Sequence, residues 1–223
     1  MSIAKGRFIT FEGGEGSGKT TQAQRLADRL RLKGSEVVLT REPGGSPGAE
    51  AIRHLLLSGI VKPLGPEAEA MMFAAARDDH VTHVIRPALD RGAWVICDRF
   101  IDSTRVYQGA LGNVDQRLIR ALERLVVGDT MPVLTIILDV PPEIGLSRAY
   151  GRNAGTDRFE AEHFEYHRLL RAAYRDAALQ EPERCVLIDA SANADALAVR
   201  IWMMVSERLL RPLQPAAAPR IRV

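Results

Sequence analysis

Five short apolar runs punctuate the chain, at residues 7–12, 36–40, 93–97, 133–138 and 185–188. Each is too short for an ordinary helix and rich in β-branched, aromatic or aliphatic residues, which predicts strands. Between them the apolar positions take helical spacing. Ala23, Leu26, Ala27 and Leu30 fall at i, i+3, i+4 and i+7, one face of a helix that begins near Lys19 and ends at Gly34. Arg25, Asp28, Arg29 and Arg31 cover its other face. Further helices are predicted over 49–57, closed by Ser58-Gly59, over 67–90 with a bend or break at Pro87, and over 115–127. Three more follow over 142–150, with proline in the first turn, 163–179 and 194–210. Residues 41–48 read as a loop from their Gly and Pro content. Residues 151–160 are polar. Residues 212–223, with three prolines and an Ala triplet, read as a disordered tail.

The strands lack polar alternation, so both of their faces are expected to be covered. Alternating with helices, they predict a five-stranded parallel sheet flanked by helices, an α/β fold. No internal repeat or linker divides the chain. One domain over 1–211 is the expected organisation.

Composition narrows the class. With 223 residues, 46% hydrophobic and 26% charged, the chain is ordinary for a globular protein and wrong for a disordered one. No apolar run approaches the ~20 residues of a membrane span. The N-terminus enters its first apolar stretch without the extended apolar region of a secretory signal. Cys97 and Cys185 lie in apolar segments and read as buried free thiols of a reducing cytosol. The net charge of +2 argues against a nucleic-acid coat or a polybasic membrane binder. Of 30 basic residues only four are lysine, Lys5, Lys19, Lys33 and Lys62, and 26 are arginine. Arginine offers a planar fork that matches phosphate oxygens.

The first strand runs into Gly13-Gly14-Glu15-Gly16-Ser17-Gly18-Lys19-Thr20, which fits Gly-x4-Gly-Lys-Ser/Thr between a strand and a helix. That is the P-loop in its required context, and it places the chain in the P-loop NTPase fold. The loop lets backbone N–H groups converge on phosphate oxygens, and the helix dipole adds to them. Lys19 is expected on the β- and γ-phosphates, and the Thr20 hydroxyl on Mg²⁺. No Asn-Lys-x-Asp string marks a GTPase, and no Leu-Ser-Gly-Gly-Gln string an ABC ATPase. A short single-domain P-loop protein with extra arginines fits a small-molecule kinase.

Three segments then carry a resemblance: residues 11–21 (Phe-Glu-Gly-Gly-Glu-Gly-Ser-Gly-Lys-Thr-Thr), Thr40-Arg41-Glu42-Pro43-Gly44-Gly45, and Asp98-Arg99-Phe100. Together they resemble bacterial thymidylate kinases, over a match from Phe8 to about Leu210, and so a fold of nucleoside monophosphate kinase type. The resemblance implies ATP and dTMP as substrates, Mg²⁺ as cofactor, a homodimer, and a cytoplasmic enzyme with no nucleic-acid or membrane partner. It implies that Glu15 accepts a hydrogen bond from the acceptor's 3′-hydroxyl, a role a carboxylate suits. Phe73 would stack on thymine. Arg77, four residues on and on the same helix face, would donate to O4, where cytosine presents a donor. Arg53 and Arg99 would grip the 5′-phosphate. Pro43 would shape the acceptor loop beside a peptide bond that can be cis, Thr104 would approach the base, and Tyr107 would lie over the deoxyribose. Asp98, ending its strand, would help Thr20 hold Mg²⁺.

The polar stretch at 147–160 matches the family's lid over ATP. These kinases place a catalytic arginine either just after the P-loop acid or in the lid. Gly16 follows Glu15 here, so the arginine is expected from the lid: Arg152 on the transferring group, Arg148 near adenine, and Arg158 as the third choice. The acceptor is already an anionic oxygen, so no general base is expected. His80/His83 and His163/His167 have metal-compatible spacing but read as surface helix positions. On this reading positive charge is concentrated in one cleft. Another nucleotide or deoxynucleoside kinase, and a non-catalytic nucleotide-binding module, are the rival readings.

Overall fold

The computed structural model describes residues 6–151 and 162–210. The predicted tail and most of the predicted lid, including Arg152 and Arg158, lie outside the described residues.

Five parallel strands form one sheet in the order β2-β3-β1-β4-β5. They are β1 (Arg7–Glu12), β2 (Val37–Arg41), β3 (Trp94–Asp98), β4 (Leu134–Asp139) and β5 (Cys185–Asp189). Helix α1 (Lys19–Leu32) follows β1 and buries Ala23, Leu26, Ala27 and Leu30, the face its spacing predicts. Helix α2 (Pro47–Ser58) starts earlier than predicted, with Pro47 in its first turn, where its missing N–H costs nothing.

The long helical pattern at 67–90 is α3 (Pro66–His80), a π-helical stretch (Val81–Ile85) and α4 (Arg86–Asp90). Pro87 lies in the first turn of α4. A proline there has no N–H for the carbonyl of His83, and the widened turn before it accommodates the ring. The sequence reading assigned no helix between β3 and residue 115. The structure has α5 (Ile101–Thr104) running into a π-helical stretch (Arg105–Leu111). Its buried positions mix Ile101 and Val106 with Asp102, Thr104 and Gln108, so no apolar stripe marks it. Helices α6 (Gln116–Val126), α7 (Pro142–Tyr150), α8 (Phe164–Gln180) and α9 (Ala194–Val205) complete the set.

The strands alternate which face they serve. Ile9, Phe11, Ile96, Leu134 and Ile136 pack with Leu26 and Leu30 of α1 and Leu197 and Ile201 of α9. Phe8, Val95 and Cys97 pack on the other face with Val81, Ile85 and Phe100. Cys97 and Cys185 are buried free thiols, as expected. A buried ion pair holds α5 to the sheet: Arg184 Nη1 and Nη2 reach the two oxygens of Asp102 at 2.7 Å each, and Arg184 Nη1 also reaches Thr135 Oγ1 at 2.6 Å.

Register assembles the site. Phe11 pairs with Asp98, and Arg41 pairs with the same Asp98 from the opposite side. The segments leaving β1, β2 and β3 therefore emerge side by side at the carboxyl ends of the strands, where open α/β sheets bind ligands.

Candidate active site

The loop after β1 closes tightly on its neighbours. Gly16 has φ +64°, and a Cβ there would lie 1.8 Å from the Gly145 carbonyl oxygen of α7. Gly13, at φ +130°, would place a Cβ 2.5 Å from the Leu138 carbonyl oxygen. No side chain fits at either position. Lys19 Nζ turns into the loop and donates to the Gly14 and Gly13 carbonyls at 2.8 and 3.1 Å. Burial, then the Arg99 charge, lowers its pKa to about 8, against the pull of Glu15, Asp98 and Glu12. The Thr20 hydroxyl donates to Asp98 Oδ2. A hydroxyl and a carboxylate thus converge at the cradle's mouth, a hard oxygen pair of the kind Mg²⁺ takes. Among the described residues no cluster of three or more His, Cys, Asp or Glu suits a metal.

Glu15 points out of the loop toward Arg99. Arg99 Nη2 lies 2.5 Å from Glu15 Oε1, and the Tyr107 hydroxyl donates to the same oxygen at 2.8 Å. Burial alone would raise this carboxyl's pKa. Arg99, Lys19, the Tyr107 hydrogen bond and His167 outweigh burial and hold it at about 2. Arg99 has φ +69°, a left-handed backbone that disfavours a long side chain. Its Nη1 donates to the Gly13 carbonyl at 3.2 Å, the Tyr174 hydroxyl at 3.2 Å and Ser103 Oγ at 3.3 Å.

The acceptor side is built from β2's exit and α3. The Glu42–Pro43 peptide is cis. Arg53 Nη1 donates to the Pro43 carbonyl at 2.6 Å, which draws α2 onto this loop. Arg77 is buried rather than snorkelling. Its Nε meets Glu42 Oε2 at 2.7 Å, and its Nη2 donates to Thr104 Oγ1 at 3.1 Å and the Phe100 carbonyl at 3.2 Å. Phe73 and Thr104 line the same cleft. That cleft, of about 280 Å³, is continuous from Gly16, Gly18, Lys19 and Thr20 to Phe73 and Arg77. Along its wall Lys19, Arg41, Arg53, Arg77 and Arg99 face Glu15, Glu42 and Asp98, so cations outnumber carboxylates there.

Arg148 is not brought into this cleft. Its guanidinium donates to the carbonyls of Ala190, Ser191 and Ala192 after β5, at 2.9 to 3.5 Å. Two histidines depart from the surface reading. His80 is fully buried, with Nδ1 at 3.0 Å from Glu42 Oε1 and Nε2 at 2.7 Å from Thr40 Oγ1. His167 is buried behind the P-loop, and its Nε2 has no hydrogen-bond partner. His83 and His163 are exposed. The sequence reading also gave no role to Glu42, Ser103 or Tyr174. Glu42 lay inside a quoted motif. Tyr174 carried only the signal of a tyrosine on the buried face of its helix, with His167, Leu170 and Ala178.

Residues 11–201 match the family described as "Thymidylate kinase". A thymidylate kinase of Bradyrhizobium diazoefficiens is 60% identical over 211 residues, covering 94% of this chain and 92% of the relative. A thymidylate kinase of Nitrobacter winogradskyi is 60% identical over 208 residues, covering 92% and 90%. Among solved structures, a crystal structure of thymidylate kinase from Ehrlichia chaffeensis superposes with a TM-score of 0.73 at 35% identity, covering 91% of this chain and 99% of that one.

Proposed function

The chain belongs to the thymidylate kinase family and is a dTMP kinase that uses ATP, and we propose that Lys19, Arg99 and the lid arginines carry the transfer. One observation supports this reading most: the P-loop lysine and the acceptor pocket share a single cleft. Gly13–Thr20 cradle the ATP phosphates. Lys19, whose Nζ lies within the loop at the Gly13 and Gly14 carbonyls, serves the β- and γ-phosphates. Phe73, Arg77 and Thr104 receive the base, Tyr107 and Glu15 the sugar, and Arg53 and Arg99 the 5′-phosphate, with Pro43 shaping the loop. Thr20 and Asp98 would hold Mg²⁺, which would supply charge neutralisation between the two polyanions.

No proton acceptor is required, because dTMP offers an anionic oxygen. The problem is repulsion, and fixed cations lower it in the transition state. Arg152 serves the transferring group, with Arg158 as the third choice. Arg148, already at the loop after β5, serves the adenine side. The family's lid, expected at 147–160 and largely outside the described residues, would exclude water. The enzyme acts as a homodimer in the cytoplasm.

ADP release coupled to dTMP, dUMP, dCMP and AMP tests the acceptor reading. Turnover with dTMP well above the other three supports it, and activity on AMP or dCMP but not dTMP defeats it. For the lid, Arg152→Ala is expected to lose roughly a thousandfold in kcat, by analogy with arginine fingers. Unchanged turnover would move the role to another residue.

A further inference from the structure

Glu12, the last residue of β1, is fully buried and faces none of the substrate-lining surface. Its carboxylate collects four donors. Oε1 accepts from the Phe100 N–H at 2.7 Å and the Ser103 N–H at 3.2 Å. Oε2 accepts from the Ser103 hydroxyl at 2.7 Å and the Tyr174 hydroxyl at 3.1 Å.

Every one of these groups is tied to Arg99. Phe100 follows it directly, and the Ser103 N–H lies at the start of α5. Pinning both fixes the turn in which Arg99 takes its positive φ. A residue held in that region needs surrounding structure that over-determines it. The two hydroxyls do the rest. Both lie within hydrogen-bond reach of Glu12 Oε2 and 2.9 Å from each other, so the ionised carboxylate takes a proton from at least one of them, and the linked pair turns lone pairs outward. Arg99 Nη1 meets both lone pairs, at 3.3 Å from Ser103 and 3.2 Å from Tyr174. The buried carboxylate thus fixes the hydroxyl side of the guanidinium, while Glu15 and the Gly13 carbonyl hold its other contacts.

We propose that Glu12 is a positioning residue for phosphoryl transfer, acting through Ser103 and Tyr174 to hold Arg99 where the acceptor phosphate meets it. This rests on the reading that Arg99 grips that phosphate. Glu12 touches neither substrate. Misplacing an aligned group by about an ångström can cost on the order of a hundredfold, so the effect is kinetic.

The test compares Glu12→Gln, Tyr174→Phe and Arg99→Ala, singly and with each of the first two combined with Arg99→Ala. Tyr174→Phe keeps the buried ring, so it folds even where Glu12→Gln does not. Each single variant of the relay is expected to lose roughly ten- to a hundredfold in kcat/KM for dTMP, with KM for ATP within about twofold of the parent. In the Arg99→Ala background the same changes are expected to cost less than about twofold, because the group they position is gone. Equal losses in both backgrounds would overturn the proposal, as would relay variants that lower the melting temperature but keep parental kinetics. Arg99→Ala at parental activity would instead defeat the reading of Arg99 itself.

Discussion

Glu12 and Glu15 lie three residues apart and titrate in opposite directions. Burial, then the Asp102 charge, raises Glu12 from its ordinary 4.5 to about 7, although Ser103, Arg99 and Phe100 oppose the rise. Glu15 is held at about 2. For Glu12 the folded chain binds more protons than the unfolded chain between pH 4.5 and 7. Its contribution is fully present below 4.5 and is lost as pH rises through 7. For Glu15 the unfolded chain binds more protons between 2 and 4.5, so its contribution is present above 4.5 and is lost as pH falls toward 2. Melting temperatures across pH check both signs. Relative to the parent, Glu12→Gln is expected to flatten the decline between pH 4.5 and 7, and Glu15→Gln the rise between 2 and 4.5. Arg77 makes a different residue-scale case. Its pair with Glu42 is buried on both sides. Arg77→Ala would leave that carboxylate beside His80 with no guanidinium, which costs about 3–5 kcal/mol when a buried pair is broken. A melting temperature within a degree or two of the parent would contradict the pairing.

At the scale of elements, the P-loop and α7 are fitted to each other. Gly16 cannot carry a Cβ because the Gly145 carbonyl occupies its place, and a Cβ on Gly145 would in turn lie 2.5 Å from the Glu15 carbonyl oxygen. Backbone meets backbone there, so neither side can yield by rotating a side chain. Gly16→Arg is therefore expected to lower kcat at least about tenfold rather than supply a P-loop arginine, since overpacked sites displace backbone. A gain in turnover would show that α7 can retreat. The sequence spoke clearly about the loop itself, though not about this contact. A glycine-rich cradle between a strand and a helix is local, and its meaning lies within eight consecutive residues. The strands were legible for a related reason: buried on both faces, they show as unbroken apolar runs. Helix α5 and its π-helical extension were not legible, because their buried positions are half polar and are satisfied by distant residues. Asp102 needs Arg184, and Ser103 needs Glu12. The Glu12–Ser103–Tyr174 relay joins β1, α5 and α8, which are adjacent only once the strands are in register. No periodicity within one segment carries that information. The bend at Pro87 was foreseeable, but its resolution as a widened π turn before the ring was not.

On the scale of the whole molecule, the arginine excess resolves into pairs. Arg25 meets Asp195, Arg91 meets Glu36, Arg105 meets Glu123, and Arg171 meets Asp139. The exposed pairs, Arg25–Asp195 and Arg91–Glu36, contribute little to stability, and all four balance charge outside the cleft, which keeps its surplus of cations. A chain of net charge +2 imposes little long-range repulsion between its copies. It also carries exposed apolar side chains on consecutive segments: Leu55 of α2, Ile60, Leu64 and Met71 of α3, from 41% to 68% exposed. Helices α2 and α3 pack side by side, so a second chain meeting this surface would cover side chains that otherwise face water. The proposed homodimer is expected to use it. Sedimentation at micromolar concentration should then give about twice the 24.6 kDa chain mass. Leu64→Asp with Met71→Asp should shift it to the monomer, because a buried charge without a partner is strongly unfavourable at an interface. These positions are already in water in the single chain, so the substitutions should leave the fold intact, and a far-ultraviolet spectrum matching the parent checks that. A parent that sediments as a monomer would overturn the dimer. A double variant that remains dimeric would place the interface on another face.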